Sequence, residues 1–148
     1  IDNNLKIIKT NRGGKYTLHS PGQKVVYFVL NLNKRGRDIR KIVNMVESCI
    51  ISILKEYKIK SQTDPKNIGI WIKKNNEIEK IAAIGLRVKK WIAFHGFSLN
   101  INNDLSLYQK IVPCGIKDKN VTSFEKIGIS NYENINDVIK KNFLNTFL

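Results

Sequence analysis

A chain of 148 residues, 42% of them hydrophobic, is long enough for one domain with a real core and too short for two, so a single domain over 1–148 is expected. No run approaches the ~20 consecutive apolar residues of a membrane span, and the N-terminus lacks the basic-then-apolar pattern of a secretory leader, so a cytoplasmic protein with no membrane partner is expected. The 26 Lys and Arg against 12 Asp and Glu give a net charge of +14, which implies an acidic partner or a broadly solvated lysine-rich surface. A basic nucleic-acid-binding module is the rival from that charge. The basic residues, however, are spread along the chain, with no Arg-rich helix, no zinc-ligand spacing and no aromatic RNA-binding signature, so nucleic acid is not the expected partner.

In chain order, Leu5 to Thr10 reads as a strand, and Arg12 to Gln23 as a loop or hairpin punctuated by Gly and Pro. Lys24 to Leu32 is a nearly continuous apolar run suited to a buried sheet position. From Asp38 to Tyr57 the residues Ile39, Ile42, Val43, Val46, Ile50, Ile53, Leu54 and Tyr57 recur at helical spacing, with Asp38 placed to start the helix. Cys49 sits beside that stripe and is assigned to packing. A polar loop around Ser61 to Asn67 leads to a strand at Ile68 to Lys73, a turn at Asn75 and Asn76, and two further strands, Ile78 to Val88 and Trp91 to Asn100, separated by Lys89 and Lys90. Asn102 to Lys110 is expected as a loop with a short helical turn. Thr122 and Ser123 are placed to cap a short helix, and Ile135 to Phe147 is amphipathic enough for a closing helix.

The segment Ile111-Val112-Pro113-Cys114-Gly115-Ile116 sets a cysteine between a proline that fixes the backbone and a glycine that leaves it open to a substrate. Local grounds leave Cys114 open between a reactive thiol and a small core hydrophobe. Two cysteines do not make a disulfide framework, so both are expected as free thiols. A zinc site from His19, His95, Cys49 and Cys114 lacks ligand spacing, and Arg35-Gly36-Arg37 reads as a basic turn ahead of a helix.

Arg12-Gly13-Gly14, Thr17, His19-Ser20-Pro21-Gly22-Gln23, Lys80-Ile81-Ala82-Ala83-Ile84-Gly85, His95-Gly96-Phe97 and Val112-Pro113-Cys114-Gly115-Ile116 fall in an order that resembles the lipoyl(octanoyl) transferases, also called lipoate-protein ligase B. The resemblance runs from about residue 5 to Val121-Thr122-Ser123. It implies an α+β fold, a mixed sheet with helices packed on one face, like the biotin and lipoate ligase catalytic domains. Only eleven residues precede Arg12, so the resemblance implies a catalytic domain that is short at its N-terminus. Ser20 and Ser98 stand where the family commonly has smaller residues.

The implied activity is an acyltransferase of lipoate biosynthesis. It takes an octanoyl group from octanoyl-acyl carrier protein onto Cys114 as a thioester and passes it to a lysine of a lipoyl domain, the first step of endogenous protein lipoylation. The implied acceptors are the lipoyl domains of 2-oxoacid dehydrogenase complexes and the glycine cleavage H protein. These carriers are typically acidic, a third account of the +14 charge. A thioester is already activated, so no cofactor is implied, and an ATP-dependent ligase is a distant alternative. A noncatalytic binder of acyl carrier or lipoyl domains is a further one.

Cys114 and Lys80 are the implied catalytic pair. An ammonium near the sulfur favours the thiolate, and desolvation lowers the lysine's own affinity for its proton. Arg12, Gly13, Gly14, Lys15, Tyr16, Thr17, Leu18 and His19 match the family's substrate-binding segments, as do Ala83, Ile84, Gly85, Gly96, Phe97 and Ser98. Small residues there allow backbone approach, and Ile84 and Phe97 offer apolar walls. Burying an octanoyl chain at ~0.8 kcal/mol per methylene would supply roughly 5 kcal/mol before ordering costs.

Overall fold

The computed structural model describes residues 7–13, 16–75, 77–110 and 120–148. Their strands join in one sheet, in which β1 (Gln23–Asn31), β5 (Ile92–Asn100), β4 (Glu77–Lys89), β3 (Ile70–Lys74) and β2 (Gln62–Thr63) lie side by side in that order. Those neighbours are all antiparallel, and β6 (Asn120–Val121) pairs with β4 in parallel. Two helices, α1 (Ile39–Glu56) and α2 (Ile135–Phe147), share the main core with one face of the sheet.

The apolar stripe of α1 is the reason for that arrangement. Ile42, Val46, Cys49, Ile50, Ile53 and Leu54 are completely or almost completely buried against the strands, and a fully buried aliphatic side chain contributes about 2 kcal/mol. Asp38 starts the helix by accepting the Lys41 backbone N–H at 2.9 Å, a cap worth about 1 kcal/mol. The basic turn before it is structural. Arg35 Nη2 donates to the Phe147 carbonyl at 2.7 Å, at the end of α2, where a cation also opposes the negative end of the helix dipole. Arg37 lies 5.8 Å from the centroid of the Trp91 ring.

β4 is the organising strand, because it exchanges one neighbour for another along its length. Its first half pairs with β3, from Lys74↔Glu77 to Ile70↔Ala82, and its second half pairs with β5, from Ala82↔Leu99 to Lys89↔Ile92. β6 takes up Glu79 and Lys80 where β5 has ended. The β3–β4 register slips between Ile70 and Trp71, so that Ile70 opposes Ala82 while Trp71 opposes Lys80. Ile81 is the extra residue of a bulge, and an extra residue resets the alternation of side chains between faces. Ile81 and Ala82 accordingly both join the core under the helices.

Several expectations change on the fold. Residues 7–10 form no strand, and Ile7 and Ile8 are exposed; residues 1–6 lie outside the described part. β1 is not buried on both faces. It is a sheet edge with β5 as its one partner among the described residues, and Val25, Tyr27 and Val29 are exposed while Phe28 and Leu30 enter the core. An apolar run that does not alternate suggests burial on both sides, but the helices cover one side.

The polar loop before β3 contains the short β2. Trp91 belongs to a two-residue hairpin turn with Lys90, at φ of 61° and 50°, backbone values that match the twist of the flanking strands. Ser123 Oγ accepts the Lys126 N–H at 3.2 Å, but the chain from Phe124 to Gly128 forms turns and no helix. Asn75 occupies its turn at φ 47°, and Asn76 lies outside the described residues.

Candidate active site

The bulge at Ile81 decides where Lys80 goes. Uninterrupted alternation would put Lys80 on the side of Ala82 and Ile84, under the helices. With one residue inserted it shares the opposite face with Trp71, Ala83 and Gly85. Trp71 is 1% exposed and yet outside the main core cluster, as that placement requires.

Lys80 is buried at 8% exposure. Its Nζ donates to the Ile68 carbonyl at 3.1 Å and lies 4.5 Å from the centroid of the Trp71 ring. Trp71 is oriented by its Nε1–H, which donates to the Asn67 carbonyl at 3.0 Å. A buried cation is costly unless polar partners replace its water; a carbonyl and the electron-rich face of an indole do so. The neighbouring carboxylate of Glu79 is engaged elsewhere, 2.6 Å from Lys126.

The Arg12-Gly13 segment covers the part of β4 that β3 has left. Gly13 N–H donates to the Leu86 carbonyl at 3.2 Å, Arg87 Nη1 donates to the Asn11 carbonyl at 2.7 Å, and a Cβ on Gly85 would stand 3.2 Å from Arg12 Cδ. A Cβ on Gly13 would meet the Leu86 oxygen at 2.6 Å, so only glycine allows this approach. Arg12 Nη1 is turned back onto the Gly13 carbonyl at 2.9 Å.

Beyond Gly13 the loop runs through exposed Tyr16, half-buried Thr17, buried Leu18 and exposed His19. Gly14 and Lys15 lie outside the described residues, and so does Cys114. On β5, Ser98 is buried and opposes Ala83, on the face of Gly85. Ile84 and Phe97 oppose each other in the next pair and pack into the core beneath the helices. Gly96 lies so close to β1 that a Cβ would overlap the Val26 carbonyl oxygen. His95 is half-buried at φ 73°, and its ring centroid is 5.0 Å from that of Phe94.

A polar cluster that sequence reasoning missed lies on this same face. Gln23 Nε2 donates to Asn100 Oδ1 at 2.9 Å and to Tyr108 Oη at 2.7 Å, and Tyr108 Oη donates to Asn100 Oδ1 at 3.2 Å. Asn100 Nδ2 donates to the Thr122 carbonyl at 2.9 Å, and Thr122 N–H donates to the Lys80 carbonyl at 2.9 Å. His19 Nδ1 is 3.2 Å from Gln23 Oε1. Gln23 belongs to the His19-Ser20-Pro21-Gly22-Gln23 motif, but nothing local shows that Asn100, buried at 5% exposure, meets Gln23, Tyr108 and Thr122. Among the described residues no group of three or more His, Cys, Asp or Glu converges on a metal position, and no helix is long and apolar enough to cross a membrane.

This arrangement of sheet and helices is that of a known class. Residues 1–144 match the family model of the lipoyl protein ligase A/B catalytic domain. The fold is similar to that of a lipoate protein ligase from Thermoplasma acidophilum, with TM-score 0.70 and 13% identity over 91% of this chain and 55% of that one. It is similar also to biotin protein ligase from Aquifex aeolicus, with TM-score 0.62 and 16% identity over 84% and 52%. The chain therefore spans about half the length of these solved proteins.

Sequence similarity narrows the class. The chain is 46% identical to an octanoyltransferase of Ehrlichia canis, over 98% of this chain and 69% of that protein. It is 42% identical to an octanoyltransferase of Wolbachia pipientis subsp. Culex pipiens, over 99% and 73%. It belongs to the lipoyl(octanoyl) transferase family, acyltransferases that act in octanoyl transfer for lipoylation.

Proposed function

We propose that this acyltransferase moves octanoyl from the thioester of an acyl carrier protein to a lysine of a lipoyl domain, through a thioester on Cys114. The observation that carries the reading is Lys80, a buried ammonium set by a bulge on the face that also bears Ala83, Gly85 and the Arg12-Gly13 segment. A fixed positive charge favours a thiolate brought beside it.

The steps balance with Lys80 as the proton carrier. The Cys114 thiolate attacks the carbonyl carbon, a C–S bond forms, the bond to the pantetheine sulfur breaks, and the departing thiolate takes a proton from Lys80. The substrate amine then attacks the acyl-cysteine, a C–N bond forms and the C–S bond breaks. The proton lost from nitrogen restores the Lys80 ammonium. The acidic lipoyl and acyl carrier domains named as partners suit a chain of net charge +14.

Intact mass spectrometry after incubation with octanoyl-acyl carrier protein tests the reading. The expected result is an octanoyl adduct on the parent and none on Cys114→Ala, with release of the adduct on adding a lipoyl domain. Turnover retained in Cys114→Ala would overturn it.

A further inference from the structure

The polar cluster around Asn100 has a direction, and that direction reaches His19. The Thr122 carbonyl can only accept, so the Asn100 atom facing it at 2.9 Å is the amide nitrogen, and Asn100 Oδ1 is left as an acceptor. It receives Gln23 Nε2 at 2.9 Å, while the second hydrogen of that nitrogen goes to Tyr108 Oη at 2.7 Å. Both Gln23 donors are then used and its Oε1 can only accept. The contact of 3.2 Å between Gln23 Oε1 and His19 Nδ1 therefore requires the proton on Nδ1. In its neutral form His19 is therefore the Nδ1–H tautomer, which leaves the lone pair on Nε2 of an exposed side chain.

A proton count gives that lone pair a task. An acceptor lysine is an ammonium at neutral pH, since its ordinary pKa is about 10.4. It must lose one proton before it can attack and a second when the amide forms. In the mechanism above Lys80 has room for one. We propose that Nε2 of His19 takes the other. The substrate ammonium passes a proton to Nε2, the freed amine forms the C–N bond, and the imidazolium returns the proton to solvent.

Gln23 and Asn100 are the positioning residues that keep the lone pair of the neutral ring on Nε2, turned away from Gln23. The scaffold joins the two bases, because Thr122, which receives Asn100, donates its own N–H to the Lys80 carbonyl at 2.9 Å. The inference rests on the transfer to lysine proposed above.

The test begins with the tautomer. Two-bond proton–nitrogen correlation spectra of the 15N-labelled full chain at about pH 8, where imidazole is neutral, separate the two nitrogens of each ring, and the His19→Gln spectrum identifies His19. The parent should show His19 protonated on Nδ1. Tyr108→Phe should retain that form, because Asn100 still orients Gln23, whereas Gln23→Leu and Asn100→Ala should release it toward Nε2–H.

Rates are then read in two halves. Octanoyl transfer from the preformed acyl-enzyme to a lipoyl-domain lysine should fall about 10²-fold in Gln23→Leu and His19→Gln, the size of a lost general base. Formation of the acyl-enzyme should fall much less. An Nε2–H tautomer in the parent would overturn the inference, as would equal losses in both halves, which would make His19 a contact for the acyl donor. Absence of any octanoyl-Cys114 adduct in the folded parent would instead strike the reading beneath it.

Discussion

Lys80 stands opposite Trp71 across the β3–β4 ladder, with its ammonium 4.5 Å from the indole centroid and donating to the Ile68 carbonyl at 3.1 Å. The pair exists on this face because Ile81 is an extra residue in β4. Charge, aromatic wall and carbonyl together hold a cation where water is scarce.

Lys80→Met tests whether that cation serves chemistry more than folding. Methionine fills similar space and removes the desolvation cost, while the Ile68 carbonyl loses a donor at about 1–3 kcal/mol. Urea unfolding should show a change within about 2 kcal/mol, with acyl-enzyme formation reduced by about 10² or more. A collapse of stability with proportionate loss of activity would assign Lys80 to the fold.

Gly96→Ala and Gly36→Ala separate close approach from conformational preference. At Gly96 a Cβ would overlap the Val26 carbonyl, so β1 and β5 must part, at a cost of about 3 kcal/mol. Gly36 has φ +85° and open space around it, so alanine there should cost only the left-handed penalty of about 1–2 kcal/mol. Equilibrium unfolding of both variants measures the contrast.

Glu47 gives a pH signature. Burial raises its carboxyl above the ordinary value of 4.5, opposed in part by the backbone N–H of Gly69. The folded chain then holds a proton that the unfolded chain has released, so stability is full below pH 4.5 and falls as pH rises through the folded value. Glu47→Gln keeps an acceptor for Gly69 without the charge. The variant should gain on the parent as pH rises from 4 to 7, in urea titrations at both ends.

Cys49 should be chemically silent. It is fully buried on α1, and burial pushes its thiol above 9.0, with a side-chain hydrogen bond to Thr146 acting the other way. Native alkylation at pH 7.5 should therefore modify Cys49 only at the rate of unfolding. Its stabilising contribution is complete below pH 9.0 and is lost as pH climbs through the folded value. Cys49→Ala should cost about 1–2 kcal/mol at neutral pH through the cavity it leaves and flatten the alkaline decline, while octanoyl transfer persists.

Local patterning carried α1, α2, the β3–β4–β5 meander and the packing role of Cys49, because helical spacing and strand alternation are written in neighbouring residues. The ordered motifs carried the family. The amino-acid order also placed Lys80 and Gly85 in one block. Which face they share was decided by a register slip against β3, a property of two strands together, since one inserted residue reverses every side chain beyond it. The one-sided exposure of β1 likewise depends on which neighbours the sheet provides. The Asn100 cluster joins residues from 19 to 122, and hydrogen-bond direction passes through it only once all of them are in place. Sequence proximity determines periodicity and short motifs; face, edge and proton position come from partners brought together by folding.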